Sequence, residues 1–216
     1  MKVDKKAMEL YLVTDRSWLN GKTLLSEVER CLDAGVTFLQ LREKDLDERS
    51  FLEEARKIGR AAKSRRIPFI INDNLEIALK SGADGVHVGQ RDMAAKDVRA
   101  LLGPDKILGV SAQTVEQAVA AERAGADYLG VGAVFHTSTK LDAADVDHQT
   151  LRAICDAVSI PVVAIGGIGP KNILKLSGSG IDGVAVISSI LAQPDAAQAT
   201  KQLKTLCREM LGKQER

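Results

Sequence analysis

The residues best equipped for chemistry in this chain are acids, amides and cations that stand just after apolar runs. Asn72, Asp73 and Asn74 follow "PFII" directly, although Asn and Asp are among the poorest strand formers. The stretch "QLREK" puts Gln40, Arg42 and Lys44 at every second position, so all three can face one side of an extended chain. Asp92 closes "GVHVGQRD", Ser111 ends "KILGVS", and Thr137, Ser138, Thr139 and Lys140 stand together in "TSTK". Gly166, Gly167 and Gly169 follow another apolar run, and Ser188 and Ser189 follow a last one.

These types suggest anion and metal chemistry. Two cations facing an interior need partners, because an unpaired buried charge is very costly. The partner is either a salt-bridge network with Glu43 or Asp45, or a bound phosphate or pyrophosphate. Asp73 and Asp92 beside a phosphate site suit Mg²⁺, which is held by one or two carboxylates with substrate oxygens; without a metal such a pair repels or shares a proton. Hydroxyls, loop amides and the Lys140 ammonium make an anion-binding loop, though an ordinary polar loop has the same composition. Simpler roles exist for the acids too. Asn72–Asp73 could cap a helix "LEIALKSG", and Asp92 a helix "MAAKDVRALL".

The elements that must position these residues alternate along the chain. Apolar runs at 10–15, 37–42, 68–73, 85–89, 106–111, 128–135, 161–167 and 183–189 are near-continuous rather than alternating, as in parallel strands covered on both faces. Segments 24–35 and 115–126 have helical apolar spacing. Eight βα units in 216 residues predict a single α/β domain over 1–216, a (β/α)8 TIM barrel near its lower size limit. A doubly wound open sheet ranks below it, because no GxGxxG follows the leading strand. Glycine-bearing junctions at 34–38, 81–86, 124–129 and 179–184 precede every second strand, an echo expected of a barrel built in quarter-turns. In such a barrel the strand C-termini carry the active site, and a phosphate site often lies after strands seven and eight. Every polar residue named above then falls on one rim.

Composition narrows the function further. Lys plus Arg is 30 and Asp plus Glu 29, so no global charge draws the chain to nucleic acid or membrane. Aromatics at 3% are too few for a base-stacking platform. Cys31, Cys155 and Cys207 are odd in number, without metal-ligand spacing, and read as buried free thiols in helices. The N-terminus lacks an apolar signal core and no stretch is long enough to span a membrane, which predicts a reduced cytoplasmic setting. His87 reads as a packed or hydrogen-bonded strand residue, and Trp18 as cover for apolar surface. A homo-oligomer is left open.

The motifs "QLREK", "INDN", "GVHVGQRD", "GVSAQT", "TSTK", "AIGGI" and "VAVISSI", in this order and spacing, resemble the thiamine-phosphate synthase family over about Leu10 to Leu191. The resemblance implies Mg²⁺-dependent coupling of 4-amino-2-methylpyrimidine-5-ylmethyl diphosphate to a thiazole phosphate, with loss of pyrophosphate. It implies Asp73 and Asp92 as metal ligands, and Gln40, Leu41, Arg42, Glu43, Lys44, Asn72, Ser111 and Lys140 as the pyrimidine diphosphate site. Within that site Arg42, Lys44 and Lys140 are the catalytic cations, and Gln40 and Ser111 contact the aminopyrimidine. It implies Thr137, Ser138, Thr139, Gly167, Ile187 and Ser188 as the thiazole phosphate site. The chain departs from the family pattern at Ala133 and His136, where proline is frequent, and in "LDAADVDHQT". A thiazole tautomerase shares the fold and the thiazole phosphate site, but its proton transfer calls for a histidine, and the loop offers His136 alone. A non-catalytic sensor of thiamine phosphate would not need Asp73, Asp92 and Lys44 together.

Overall fold

The computed structural model describes residues 3–19, 21–90, 93–136 and 146–212. Its sheet is a closed barrel of eight strands in sequence order. The strands are β1 (Leu10–Val13), β2 (Phe38–Leu41), β3 (Phe69–Asn72), β4 (Gly85–Val88), β5 (Ile107–Ala112), β6 (Tyr128–Val131), β7 (Val162–Ile165) and β8 (Gly183–Val186). All neighbours are parallel, and β1 closes on β8 through Leu10↔Val184 to Leu12↔Val186. Closure excludes the open doubly wound sheet.

Helices follow the strands: α1 (Leu24–Ala34), α2 (Glu48–Ser64), α3 (Leu75–Ser81), α4 (Ala95–Leu102), α5 (Val115–Arg123), α6 (His148–Ala157), α7 (Ser188–Leu191) and α8 (Ala196–Met210). Side chains of Thr23, Asp47, Asn74, Thr114, Asp147 and Asp195 accept backbone N–H groups at helix starts, each worth about 1 kcal/mol. The junction glycines Gly35, Gly82, Gly125 and Gly180 all have positive φ, so the quarter-turn echo is a backbone requirement. Two expectations are corrected. After β7 the chain forms only a short 3-10 turn, Ile173–Leu176. And β6 stops at Val131; beyond it Val134 and Phe135 donate to Ile165 O and Gly166 O at 3.0 and 3.2 Å, so the apolar tail lies across the end of β7.

Alternation along each strand separates two cores. Outward residues such as Leu12, Leu39, Ile71 and Val86 pack under the helices. Inward residues Tyr11, Val13, Phe38, Ile70, Ile107, Tyr128, Val163 and Ala185 fill the barrel. Its large rings are accommodated by small neighbours: a Cβ on Gly109 would lie 2.2 Å from Tyr128 Cζ, and one on Gly130 3.1 Å from His87 Cε1. Cys31 and Cys207 are buried, as expected, whereas Cys155 is only half-buried. Burial pushes the Cys31 thiol up to about 11 and the Cys155 thiol up to about 12, so both are held as protonated thiols.

Candidate active site

"INDN" is resolved residue by residue. Asn72 ends β3 two positions after the inward Ile70, so it faces the barrel mouth. Asp73 then takes φ +59, a left-handed turn that Asp and Asn tolerate better than other side chains. Its backbone N–H donates to His87 O at 2.8 Å, fastening the turn to β4. Asn74, not Asn72 or Asp73, caps α3 by accepting from Ile77 N at 2.9 Å. The capping role is thereby assigned elsewhere, and Asp73 is turned onto the rim, where its Oδ2 accepts from Asn72 Nδ2 at 2.6 Å.

The end of β2 lies beside it. Gln40 is inward and 4% exposed, and its Nε2 has no hydrogen-bond partner among the described residues. Arg42 does not pair with Glu43 or Asp45; its Nη1 donates to Asp15 Oδ2 at 3.3 Å. Glu43 points the other way, into a buried pocket where its Oε2 accepts from Arg16 Nε at 2.8 Å. Burial raises the Glu43 carboxyl above its ordinary range, against the opposing pull of the Arg16 guanidinium. Lys44 is exposed and makes no ion pair among the described residues. Glu43, Lys44, Asn72, Asp73 and Met93 line one cleft of about 720 Å³, whose outer wall is Leu46, Leu75, Leu79 and Leu101.

Across the mouth the groups are hydroxyls and an imidazole linked in series. Ser111 Oγ is hydrogen-bonded to His87 Nε2 at 2.9 Å, His87 Nδ1 to Tyr128 Oη at 2.8 Å, and Tyr128 Oη to Tyr11 Oη at 2.8 Å. The chain of contacts crosses the barrel from β5 to β1 through residues far apart in sequence. His87 is therefore hydrogen-bonded and buried, as its strand position suggests. Tyr11 and Tyr128 are not singled out by the sequence; their inward placement shows only once the strands are paired, Tyr11 beside Phe38 and Tyr128 beside Gly109.

On the remaining side, Gly167 has φ +62, and a Cβ there would lie 2.4 Å from His136 O. The loop behind it is braced by Asn172, which donates to Gly167 O at 2.9 Å and accepts from Gly169 N at 2.8 Å. The short α7 begins at Ser188, and Ser189 Oγ donates to Ile168 O, tying α7 to the glycine loop.

A family model for thiamine monophosphate synthase matches residues 10–190. The chain belongs to the thiamine monophosphate synthase family. The thiamine-phosphate synthase of Clostridium tetani (strain Massachusetts / E88) is 50% identical over 194 residues, covering 90% of this chain and 93% of its own. That of Desulfitobacterium hafniense (strain Y51) is 48% identical over 200 residues, covering 92% and 97%. The solved thiamine phosphate pyrophosphorylase from Pyrococcus furiosus superposes with a TM-score of 0.89 at 36% identity, over 96% of this chain and 99% of that one. Enzymes so named are transferases, and the family resemblance read from the motifs holds.

Set against the residues which that resemblance singles out, the structure brings Glu43, Lys44, Asn72 and Asp73 into one cleft, with Gln40 inward on β2 and Ser111 inward on β5, three strands further round the barrel. Leu41 is buried on the helix side of β2 and cannot reach the mouth with its side chain. Gly167, Ile187 and Ser188 stand at the ends of β7 and β8. Asp92, Thr137, Ser138, Thr139 and Lys140 lie outside the described residues. The N-cap position of α4 belongs to Ala94, without a side-chain hydrogen bond.

Proposed function

We propose that this member of the thiamine monophosphate synthase family joins 4-amino-2-methylpyrimidine-5-ylmethyl diphosphate to a thiazole phosphate, releasing pyrophosphate, with Mg²⁺ as its cofactor. The observation that carries the proposal is the shared cleft: an exposed ammonium, an amide and a rim carboxylate at the ends of β2 and β3.

The donor set supports Mg²⁺. Asp73 offers a hard carboxylate at the rim, and among the described residues no group of three His, Cys, Asp or Glu forms an all-protein cage. Mg²⁺ needs only one or two carboxylates when substrate phosphates complete its shell; Asp92 is the second carboxylate on the family pattern. Bound there, it would neutralise charge on the departing diphosphate.

The chain's own residues divide the remaining work. Arg42, Lys44, Asn72 and Lys140 hold the diphosphate, and fixed cations aimed at a leaving group act where its negative charge develops. Gln40 Nε2 and Ser111 Oγ orient the aminopyrimidine, whose electron-rich ring spreads the positive charge left on its methylene carbon. Gly167, Ile187 and Ser188, with Thr137, Ser138 and Thr139, hold the thiazole phosphate so that the thiazole nitrogen attacks that carbon. The bond formed is C–N and the bond broken is C–O, with no proton transferred, so no general base is required. Assay of both substrates with Mg²⁺ tests this: thiamine phosphate and pyrophosphate should appear in equal amounts, and chelation by EDTA should abolish both. Conversion of a thiazole tautomer without pyrophosphate release would overturn it.

A further inference from the structure

Three consecutive residues after β1 each grip a different part of the β2 end. Thr14 is fully buried; its N–H donates to Gln40 O at 3.0 Å, and its Oγ1 accepts from Arg42 N at 3.0 Å. Asp15 Oδ1 accepts from Ser17 N at 2.9 Å, leaving Oδ2 to receive Arg42 Nη1 at 3.3 Å. Arg16 Nε holds Glu43 Oε2 at 2.8 Å, and its Nη2 reaches Glu54 on α2. So Glu43 is tied to Arg16 and through it to α2, while Arg42 is held by Asp15 and Lys44 is left without an ion pair among the described residues.

The Asp15 contact is the informative one. It engages one N–H of Arg42, and a guanidinium carries five. The aspartate is itself fixed from behind by the turn it caps. Such a contact restricts a long, rotamer-rich side chain while leaving donors to spare, which lowers the ordering cost of a bidentate anion contact. We infer that Asp15 is a positioning residue that presents Arg42 to the diphosphate, with Thr14 and Arg16 fixing the backbone and the far side of the same run. This rests on the proposed role of Arg42 as a diphosphate contact.

Two opposite effects make the inference testable. Asp15 repels a diphosphate directly and helps it through Arg42. The experiment is calorimetric titration of magnesium pyrophosphate into the wild type, Asp15→Asn, Arg42→Ala and the double variant. Asn keeps the size of the side chain and can still accept from Ser17 N. Asp15→Asn should weaken pyrophosphate binding by roughly tenfold, about 1.4 kcal/mol, while KM for the thiazole phosphate and the melting temperature stay near wild type. In the Arg42→Ala background the same change should leave pyrophosphate binding unchanged or tighten it. Tighter binding by Asp15→Asn in both backgrounds would mean that repulsion is all Asp15 contributes, and the inference fails. A loss in both backgrounds, or a parallel rise in the thiazole phosphate KM, would mark a structural role and also defeat it. If Arg42→Ala itself leaves pyrophosphate binding intact, the role given to Arg42 fails instead.

Discussion

Lys44 and Asp73 on one wall of the barrel mouth, and Ser111 and His87 on the other, are held in different ways. The charged pair stands beyond the strand ends, exposed on a cleft of about 720 Å³. Ser111 and His87 lie within strands, inside the barrel, in a run of hydrogen bonds that passes through Tyr128 and ends at Tyr11. The difference follows from solvation. A charge taken into the dry barrel would lose several kcal/mol of hydration, whereas at the rim water solvates it until a charged ligand displaces that water. Neutral groups can be buried deeply, provided that each finds a partner. One wall is therefore able to meet a charged ligand, the other an uncharged one.

Removing charge from the rim should have the largest effect. Asp73→Ala should lower kcat/KM by about three orders of magnitude, roughly 4 kcal/mol, and raise the Mg²⁺ concentration needed for half-maximal rate. Steady-state rates over a Mg²⁺ titration check this. Unchanged Mg²⁺ dependence would remove Asp73 from the metal site. Lys44→Ala should cost about a hundredfold in kcat/KM for the pyrimidine diphosphate, with little change in KM for the thiazole phosphate. Because Lys44 makes no ion pair among the described residues, its loss should leave the melting temperature within a degree or two of wild type. A large drop in stability would break the contrast between a functional rim and a structural interior.

The interior should respond in the opposite sense. His87→Ala leaves Ser111 Oγ and Tyr128 Oη without the partner they now share, and opens a cavity in a packed barrel. Both terms destabilise, together by about 3 kcal/mol, or a fall of about 6–12 °C in melting temperature for a chain of this size. Ser111→Ala should be milder for stability, near 1 kcal/mol, and show itself instead in the pyrimidine diphosphate KM. Calorimetric melting of both variants beside their kinetics separates the two.

The contrast also explains what could be read beforehand. Continuous apolar runs gave all eight strands because each is buried on both faces, whereas the alternation at Gln40, Arg42 and Lys44 runs past the end of β2 at Leu41, so strand geometry places Gln40 alone. Asp15 escaped notice although it ends an apolar run as Asp73 does; its role depends on Arg42, which is 27 residues away. The Tyr11–Tyr128 contact spans 117 residues and leaves no local pattern. Nor could composition show that α3 is capped by Asn74 rather than by its neighbours, since all three positions in "NDN" carry capping side chains and backbone torsion decides between them.

The smallest predicted effect is a pH dependence specific to the interior wall. The chain has 2 tyrosines, and both are Tyr11 and Tyr128 in the barrel. Burial raises both phenols far above the ordinary tyrosine range; the hydrogen bond from Tyr128 opposes this weakly at Tyr11, while the proximity of Tyr11 adds to it at Tyr128. The folded chain thus keeps two protons that an unfolded chain releases above about pH 10. The unfolded state binds fewer protons there, so stability is fully present below pH 10 and falls as pH rises beyond it, by up to ~1.4 kcal/mol per pH unit for each tyrosine. Tyr11→Phe should roughly halve the tyrosine share of that slope in denaturant titrations at stepped alkaline pH. Phenolate absorbance should stay absent until the barrel unfolds. Phenolate signal near pH 10 with native circular dichroism would mean that water reaches the tyrosines, and the dry interior that sets this wall apart from the rim would have to be given up.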